Sequence, residues 1–417
     1  MGRTSDVSSL EGLKICLIGI NFAPDSTGIA PYNTSIAVAL RDAGAEVHVV
    51  AGVPHYPEWR IKDSRYLKGS RWHELFDDIK VTRVKHTIPS TSNLMSRGSM
   101  EASFLARAAP EVHRDKSDVV IAVTPSLAGL AAGVLGKRGR PLGAVVQDLT
   151  GNAAGESGTT GGRASRTIAA FEYSLLRQAQ LVGVITPQFA SILTGQRVAS
   201  ERLQLIPNFS HIRPADESRS QARSKLGWPD RGVLVVHTGN MGMKQGLDSV
   251  VEAARISSEE ELGILFLLVG DGNQRRELEL LASQLKTVVF VDPLSSGDYP
   301  SSLAASDILL LNEKPGVKEM SLPSKLTSYT GATRPIVAAV EHGGITHDVL
   351  TEHAAARIVA PGKPRDLVEA ILEMSADASV SERFATSAKK MHDALYQSGP
   401  AHKRYVAFAE RLAGIAK

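Results

Sequence analysis

The chain has a single cysteine, Cys16, set inside an apolar run. A disulfide framework is therefore excluded, a reducing compartment fits, and Cys16 reads as a core residue. Nowhere do about 18 apolar residues stand together, as a membrane-spanning helix requires. The polar start, MGRTSDVSSLEG, lacks the apolar core of a secretory signal, and its likeness to a myristoylation sequence carries little weight. The net charge is only +3, too small to signal a nucleic-acid partner. No Asp-x-Asp pair stands at a strand end to hold a divalent cation. The adjacent acids of FDDIK (76–80) read as a solvated turn.

What is present is a repeated grammar. The 417 residues, 43% hydrophobic and 22% charged, are globular in composition and long enough for two domains of about 200 residues. LKICLIGI (13–20), EVHVVAG (46–52), DVVIAVT (118–124), LGAVVQD (142–148) and LVGVITP (181–187) are short apolar runs that suit strands buried on both faces of a parallel sheet. TSIAVALRDAG (34–44) reads as a helix between the first two. The second half repeats the pattern with VLVVH (233–237), ILFLLVG (264–270), TVVFVD (287–292), DILLLN (307–312), PIVAAV (335–340) and ARIVAP (356–361). The expected fold is α/β, with two Rossmann-like doubly wound domains facing across a cleft. Their expected limits are 1–210 and 211–395, meeting near LIPNFSHIRP (205–214). A terminal helix in 396–417 is expected to cross back to the first domain. Ligands of such sheets bind at the carboxyl ends of the strands.

Two loops of the second half carry cations. Gly239-Asn240-Met241-Gly242-Met243-Lys244-Gln245-Gly246 follows a strand and leads into a helix. Glycines let phosphate approach the backbone, a helix start offers free N–H groups, and Lys244 adds a point charge. A plain helix start with a surface lysine is the alternative. In EMSLPSKLTSYTGATRPIV (319–337), Pro323 fits a first helical turn, with Ser321, Leu322 and Lys325 beside it. Two cations converging on one cleft suit a diphosphate leaving group.

Together with their order and spacing, GINFAPDSTGIAPYN (19–33), VPHYPEW (53–59), VVQD (145–148), LIPNFS (205–210), GNMGMKQGL (239–247), LLVGDG (267–272) and LPSKLTSY (322–329) resemble the retaining glycosyltransferases of family 4, which have the GT-B fold. Within it they resemble the bacterial fucosyl- and N-acetylfucosaminyltransferases of polysaccharide synthesis. The resemblance implies transfer of a hexose or deoxyhexose from a UDP- or GDP-linked donor to a saccharide or lipid-linked acceptor; the missing Asp-x-Asp pair, with Lys244 and Lys325 in the role of the ion, leads to the expectation that no metal or other cofactor is required. It implies donor contacts at Gly239, Asn240, Lys244 and Gln245, at Gly270 in the Gly-Asp-Gly turn, and at Asp292 near the base. It implies further donor contacts at Ser321, Leu322, Ser324 and Lys325. Glu319 stands near the place of a family glutamate that touches the sugar hydroxyls. The place of a second glutamate, which holds the ribose, is taken by Ser328.

The first domain is implied to hold the acceptor. Gly28 permits close approach, and Asp25 is the only acid in its loop. Tyr32 reads equally as a contact or a packing residue. His55, Tyr56 and Trp59 suit sugar stacking or a buried loop cluster. Asp148 is the candidate nearest the reacting carbon or acceptor hydroxyl, with a helix N-cap or a hinge contact as its alternative; Lys244 and Glu319 complete the catalytic set. TGNAAGESGTTGG (150–162) reads as a mobile loop. VGDGNQRR (269–276) mimics part of a dinucleotide fingerprint but lacks its third glycine. The cations of 60–85 form either a solvated face or a patch for anionic lipid, which would put the protein in the cytoplasm at the inner membrane face. A nucleotide-sugar 2-epimerase and a non-catalytic nucleotide-sugar-binding protein are the alternatives.

Overall fold

A computed structural model describes residues 9–56, 58–89, 94–149, 162–318 and 322–416. The chain divides into two compact units. One comprises Met1–Pro207 with Ser398–Lys417, the other Asn208–Gln397.

The first unit is built on eight strands: β1 (Lys14–Ile18), β2 (Glu46–Gly52), β3 (Arg71–Phe76), β4 (Ile79–Val84), β5 (Val119–Val123), β6 (Leu142–Val146), β7 (Leu181–Val184) and β8 (Leu203–Leu205). Their order is β3-β4-β2-β1-β5-β6-β7-β8, parallel except for β3 against β4. Every residue of β5, β6 and β7 is buried, which is why these segments read as unbroken apolar runs. β6 stops at Val146, so Gln147 and Asp148 lie beyond the strand that the sequence extends to 148.

The β3–β4 hairpin is absent from the sequence reading. Asp77 and Asp78 form its two-residue turn, with φ of 50° and 64°, the conformation that matches strand twist. β3 alternates exposed and half-buried residues, so it gives no continuous apolar signal. The hairpin also accounts for part of the basic stretch. Arg83 is 1% exposed and donates to Glu74 at 2.5 Å. Lys80 pairs with Glu46, Arg71 with Glu111, and Arg65 with Asp63, so much of this charge is matched locally.

The helix Ser398–Ala416 belongs to this unit. It lies on the helix Ala30–Asp42, where His402 and Ser35 share a 2.7 Å hydrogen bond. Phe408 reaches the sheet because Gly143 and Gly183 have no side chains. A Cβ on Gly143 would stand 2.7 Å from the Phe408 ring.

The second unit has six parallel strands: β9 (Val233–Thr238), β10 (Ile264–Val269), β11 (Val288–Val291), β12 (Ile308–Asn312), β13 (Ile336–Ala339) and β14 (Arg357–Val359). Their order is β11-β10-β9-β12-β13-β14. Val235, Phe266, Leu268, Ile308 and Leu310 join Val250 and Val251 of helix Asp248–Glu259 and Leu367 and Ile371 of helix Pro364–Ala376 in one core. The winding reverses between β9 and β12. Their carboxyl ends therefore diverge at a switch point, where open sheets hold ligands.

Candidate functional site

At the carboxyl end of β9 the backbone is held by its neighbours before any side chain acts. Gly239 N–H donates to Val269 O at 2.8 Å, and Met241 N–H to Asp271 O at 2.8 Å. These bonds pull the β9 loop against the Gly270-Asp271-Gly272 turn after β10. A Cβ on Gly270 would lie 2.0 Å from Gly239 O, and one on Gly272 2.5 Å from Met241 O. The Gly-Asp-Gly turn thus supports the β9 loop closely from one side. Across the switch point, Asn312 Nδ2 donates to Gln245 O at 2.7 Å and to Gly246 O at 3.0 Å, while Lys314 N–H donates to Lys244 O at 2.8 Å.

Lys244 itself sits in a short 3-10 turn, Met243–Gln245, and the α-helix begins only at Asp248. The sequence expectation of a lysine at the helix start is corrected by that intervening turn. Gln245 accepts from Gly242 N–H at 3.1 Å and fixes the turn; Gly239 and Asn240 remain exposed.

Lys325 approaches from the other side. It is the second residue of the helix Ser324–Gly331, whose preceding residue, Pro323, caps it without a side-chain bond. Pro323 is therefore just outside the first turn that the sequence assigns to it. Lys325 Nζ lies 3.8 Å from where a Gly239 Cβ would be, and donates to His237 Nε2 at 2.9 Å. Some of the residue is exposed, but its ammonium end is closely surrounded. Burial pushes its pKa down to about 7; the charge of Lys244 pushes the same way and Glu313 opposes it. His237 is wholly buried, and desolvation followed by the Lys325 charge holds it well below its ordinary value. Its Nδ1–H donates to Leu310 O at 3.3 Å and its Nε2 meets Lys325 Nζ, while the Leu310 and Asn240 backbones both oppose the downward shift.

Ser328 points into a hydroxyl network. Its Oγ donates to Lys325 O at 2.9 Å and lies 3.2 Å from Tyr299 Oη. Tyr299 Oη and Tyr329 Oη meet Thr238 Oγ1 at 3.0 and 3.2 Å, and Thr238 N–H donates to Tyr329 Oη at 2.8 Å. The network fastens this helix to the end of β9. Leu322 is buried and Ser324 exposed. Asp292 follows β11, 87% exposed at its side chain, and pairs with Arg275 at 2.7 Å; Arg275 also donates to Gly270 O at 2.9 Å.

In the first unit, the loop after β1 brings three of the four acceptor candidates together around Asp25. A Cβ on Gly28, whose φ is 64°, would lie 3.2 Å from the Tyr56 ring. Asp25 is 9% exposed and accepts from Asn21 Nδ2 at 3.2 Å. Burial raises its pKa against the opposing pull of Asn21, His55, Arg83 and the Tyr56 backbone. His55 is buried, with Nδ1 bonded to Val53 O at 2.9 Å. Tyr32 departs from the group. It is 4% exposed and lies close enough to the buried Tyr405, in the Ser398–Ala416 helix, for the two phenols to influence each other. Tyr32 is thus packed against the last helix of its unit. Asp148 is half-buried after β6, its carbonyl 3.5 Å from Thr124 Oγ1. Glu319, Ser321 and the loop 150–161 lie outside the described residues.

Residues 27–208 match the glycosyl transferase 4-like domain family, and residues 218–391 match the glycosyl transferases group 1 family. A curated relative is the Escherichia coli (strain K12) protein WcaI, assigned to colanic acid biosynthesis as a glycosyl transferase. It is 31% identical over 363 residues, covering 82% of this chain and 84% of WcaI. The chain belongs to the group 1 glycosyltransferases. The 2-deoxystreptamine glucosyltransferase of Streptomyces kanamyceticus is 26% identical to this glycosyltransferase over 214 residues, 49% of this chain and 53% of that one. Among solved structures, the sucrose-phosphate synthase of Thermosynechococcus elongatus superposes with a TM-score of 0.73 at 17% identity, over 97% of this chain and 100% of its own. HepE of Anabaena, in complex with UDP and glucose, gives 0.70 at 17% identity, over 96% and 99%. The fold of this glycosyltransferase is GT-B.

The sequence reading of this glycosyltransferase missed His237 and undervalued Asp25. A histidine closing VLVVH looks like any core residue, and its partner is 88 positions away. Asp25 reads as a turn residue until Arg83, His55 and Tyr56 are seen around it.

Proposed function

We propose that this glycosyltransferase moves a sugar from a nucleoside diphosphate to a saccharide or lipid-linked acceptor in cell-surface polysaccharide synthesis, with retention of the anomeric configuration. The observation that carries this reading is the pair Lys325 and Lys244 at the switch point of the second sheet, beside a glycine loop with exposed backbone. The two cations receive the negative charge that grows on the diphosphate as the C1–O bond breaks. Such a donor contributes about 3 kcal/mol to the barrier. The acceptor oxygen bonds to C1 on the face the phosphate leaves, and its proton passes to a phosphate oxygen. In this reading the cations serve in place of a metal, and chelator leaves the rate unchanged. Asp25 and Asp148 border the acceptor, while Glu319 and Ser321 complete the donor contacts. HepE was crystallised with UDP-glucose, which favours uridine as the base. A lipid-linked acceptor implies work at the cytoplasmic membrane face.

Thermal-shift titration with UDP, GDP, UDP-glucose and GDP-mannose identifies the donor class, since a ligand raises apparent stability by mass action. Lys244→Ala is expected to lower turnover about 100-fold with the stability of the unliganded protein kept. Unchanged turnover in that variant, or no shift with any of the four nucleotides, overturns the reading. Product anomers by NMR test retention.

A further inference from the structure

Lys325 is an unusual cation. Its ammonium end is closely surrounded, yet among the described residues no ion pair between it and a carboxylate is seen; its hydrogen-bond partner is the uncharged Nε2 of a buried histidine at 2.9 Å. That histidine is itself oriented, because Nδ1–H is committed to Leu310 O on the adjacent strand β12. The chain Leu310 O to His237 to Lys325 therefore runs from the middle of the sheet to the glycine loop. It ends with Nζ beside the Gly239 backbone. We infer that His237 is a positioning residue. It holds Lys325 over the glycine loop without neutralising it, so that the cation is completed by a proton taken up when a diphosphate arrives. The inference rests on the donor reading proposed above.

The surroundings agree from each side. From the β9 loop, Lys244 repels a charge on Lys325; from the end of β12, Glu313 favours it. From the helices, Tyr299 and Tyr329 are phenols pushed up by burial and therefore neutral, so they add no counter-charge. A histidine with Nε2 as acceptor gives direction but no charge. A carboxylate there would hold the ammonium tightly and compete with phosphate for it. With burial setting the Lys325 pKa near 7, part of the population carries a neutral amine before the donor binds. Two phosphate charges then raise that pKa, and the proton must come from solvent. The sign follows. Below about pH 7 the ammonium already exists and affinity is flat. Above it, affinity falls by up to about tenfold per pH unit, because binding includes protonation.

The test is calorimetric titration of UDP-glucose and of GDP-mannose into the full chain, in buffers of different ionisation enthalpy. The diphosphate of a nucleotide sugar has no group titrating near neutrality, so any proton uptake belongs to the protein. About half a proton or more is expected at pH 7.5, and none in Lys325→Arg, whose guanidinium is always charged. His237→Asn keeps a donor near Nδ1 but loses the Nε2 acceptor. It is expected to weaken donor binding about tenfold and to move the onset of the pH decline down by about one unit. His237→Gln returns an acceptor to the place of Nε2 and is expected to recover most of that loss. A merely structural histidine would make the two variants equal, or favour Asn, with no change in the pH profile. Donor binding without proton uptake, or equal effects of the two variants, overturns the inference and leaves the transferase reading intact. Failure of both sugar nucleotides to bind overturns that reading and the inference with it.

Discussion

Gly270 has no room for a side chain. Its φ is 137°, and a Cβ would stand 2.0 Å from the Gly239 carbonyl. Gly270→Ala is therefore expected to cost about 2–4 kcal/mol, read from urea unfolding, because both the backbone angle and the contact are violated. Donor binding should weaken with it, since the Gly239 loop must shift. Ser328 gives the opposite expectation. Its hydroxyl already bonds Lys325 O and Tyr299 Oη. Ser328→Ala should cost about 1 kcal/mol of stability and leave donor affinity within about twofold. A tenfold loss of affinity would instead make Ser328 a ribose contact. At this scale the sequence was legible where residue type and position act together, as with lysine in a glycine loop after a strand. It was silent on His237 and Arg83, whose roles depend on partners that only the fold brings near.

The β3–β4 hairpin is held by a buried charge. Arg83 donates to Glu74, which also accepts from Tyr66 Oη at 2.6 Å. Glu74→Ala strands a buried guanidinium and is expected to cost about 3–5 kcal/mol by urea unfolding, with Glu74→Gln milder. Just beyond β4, His86 is 4% exposed, and burial followed by the neighbouring His55 lowers its pKa to about 4. An unfolded histidine titrates near 6.5. The stability from keeping His86 neutral is therefore complete above pH 6.5 and is lost as pH falls toward 4, on the order of 3 kcal/mol. Urea midpoints of the parent and of His86→Gln should converge across that window; a constant gap would refute the linkage. Parallel strands were legible because burial on both faces leaves unbroken apolar runs. β3 was not, because an edge strand with one wet face alternates and carries charge.

Over the whole molecule, the α/β repeat predicted two parallel sheets, and two are found. The sequence also led to the expectation that the last helix joins the first unit, where it lies, but not to how that helix seats on the sheet. Its register on the sheet depends on two glycines, Gly183 and Gly143, about 225 and 265 positions upstream of the Phe408 ring they admit. Truncation after Gln397 removes Phe408 and Leu412 from that surface. It is expected to lower the melting temperature of the first unit and expose apolar surface to a hydrophobic dye, while the second unit keeps its own transition.

That arrangement orders biosynthesis. Residues 208–397 are a contiguous stretch, so their sheet can close as soon as the ribosome has released them. The amino-terminal sheet, although translated earlier, waits for residues 398–416 to cover it. Until then the surface over Gly143 and Gly183, which Phe408 covers in the folded chain, is expected to stay bare.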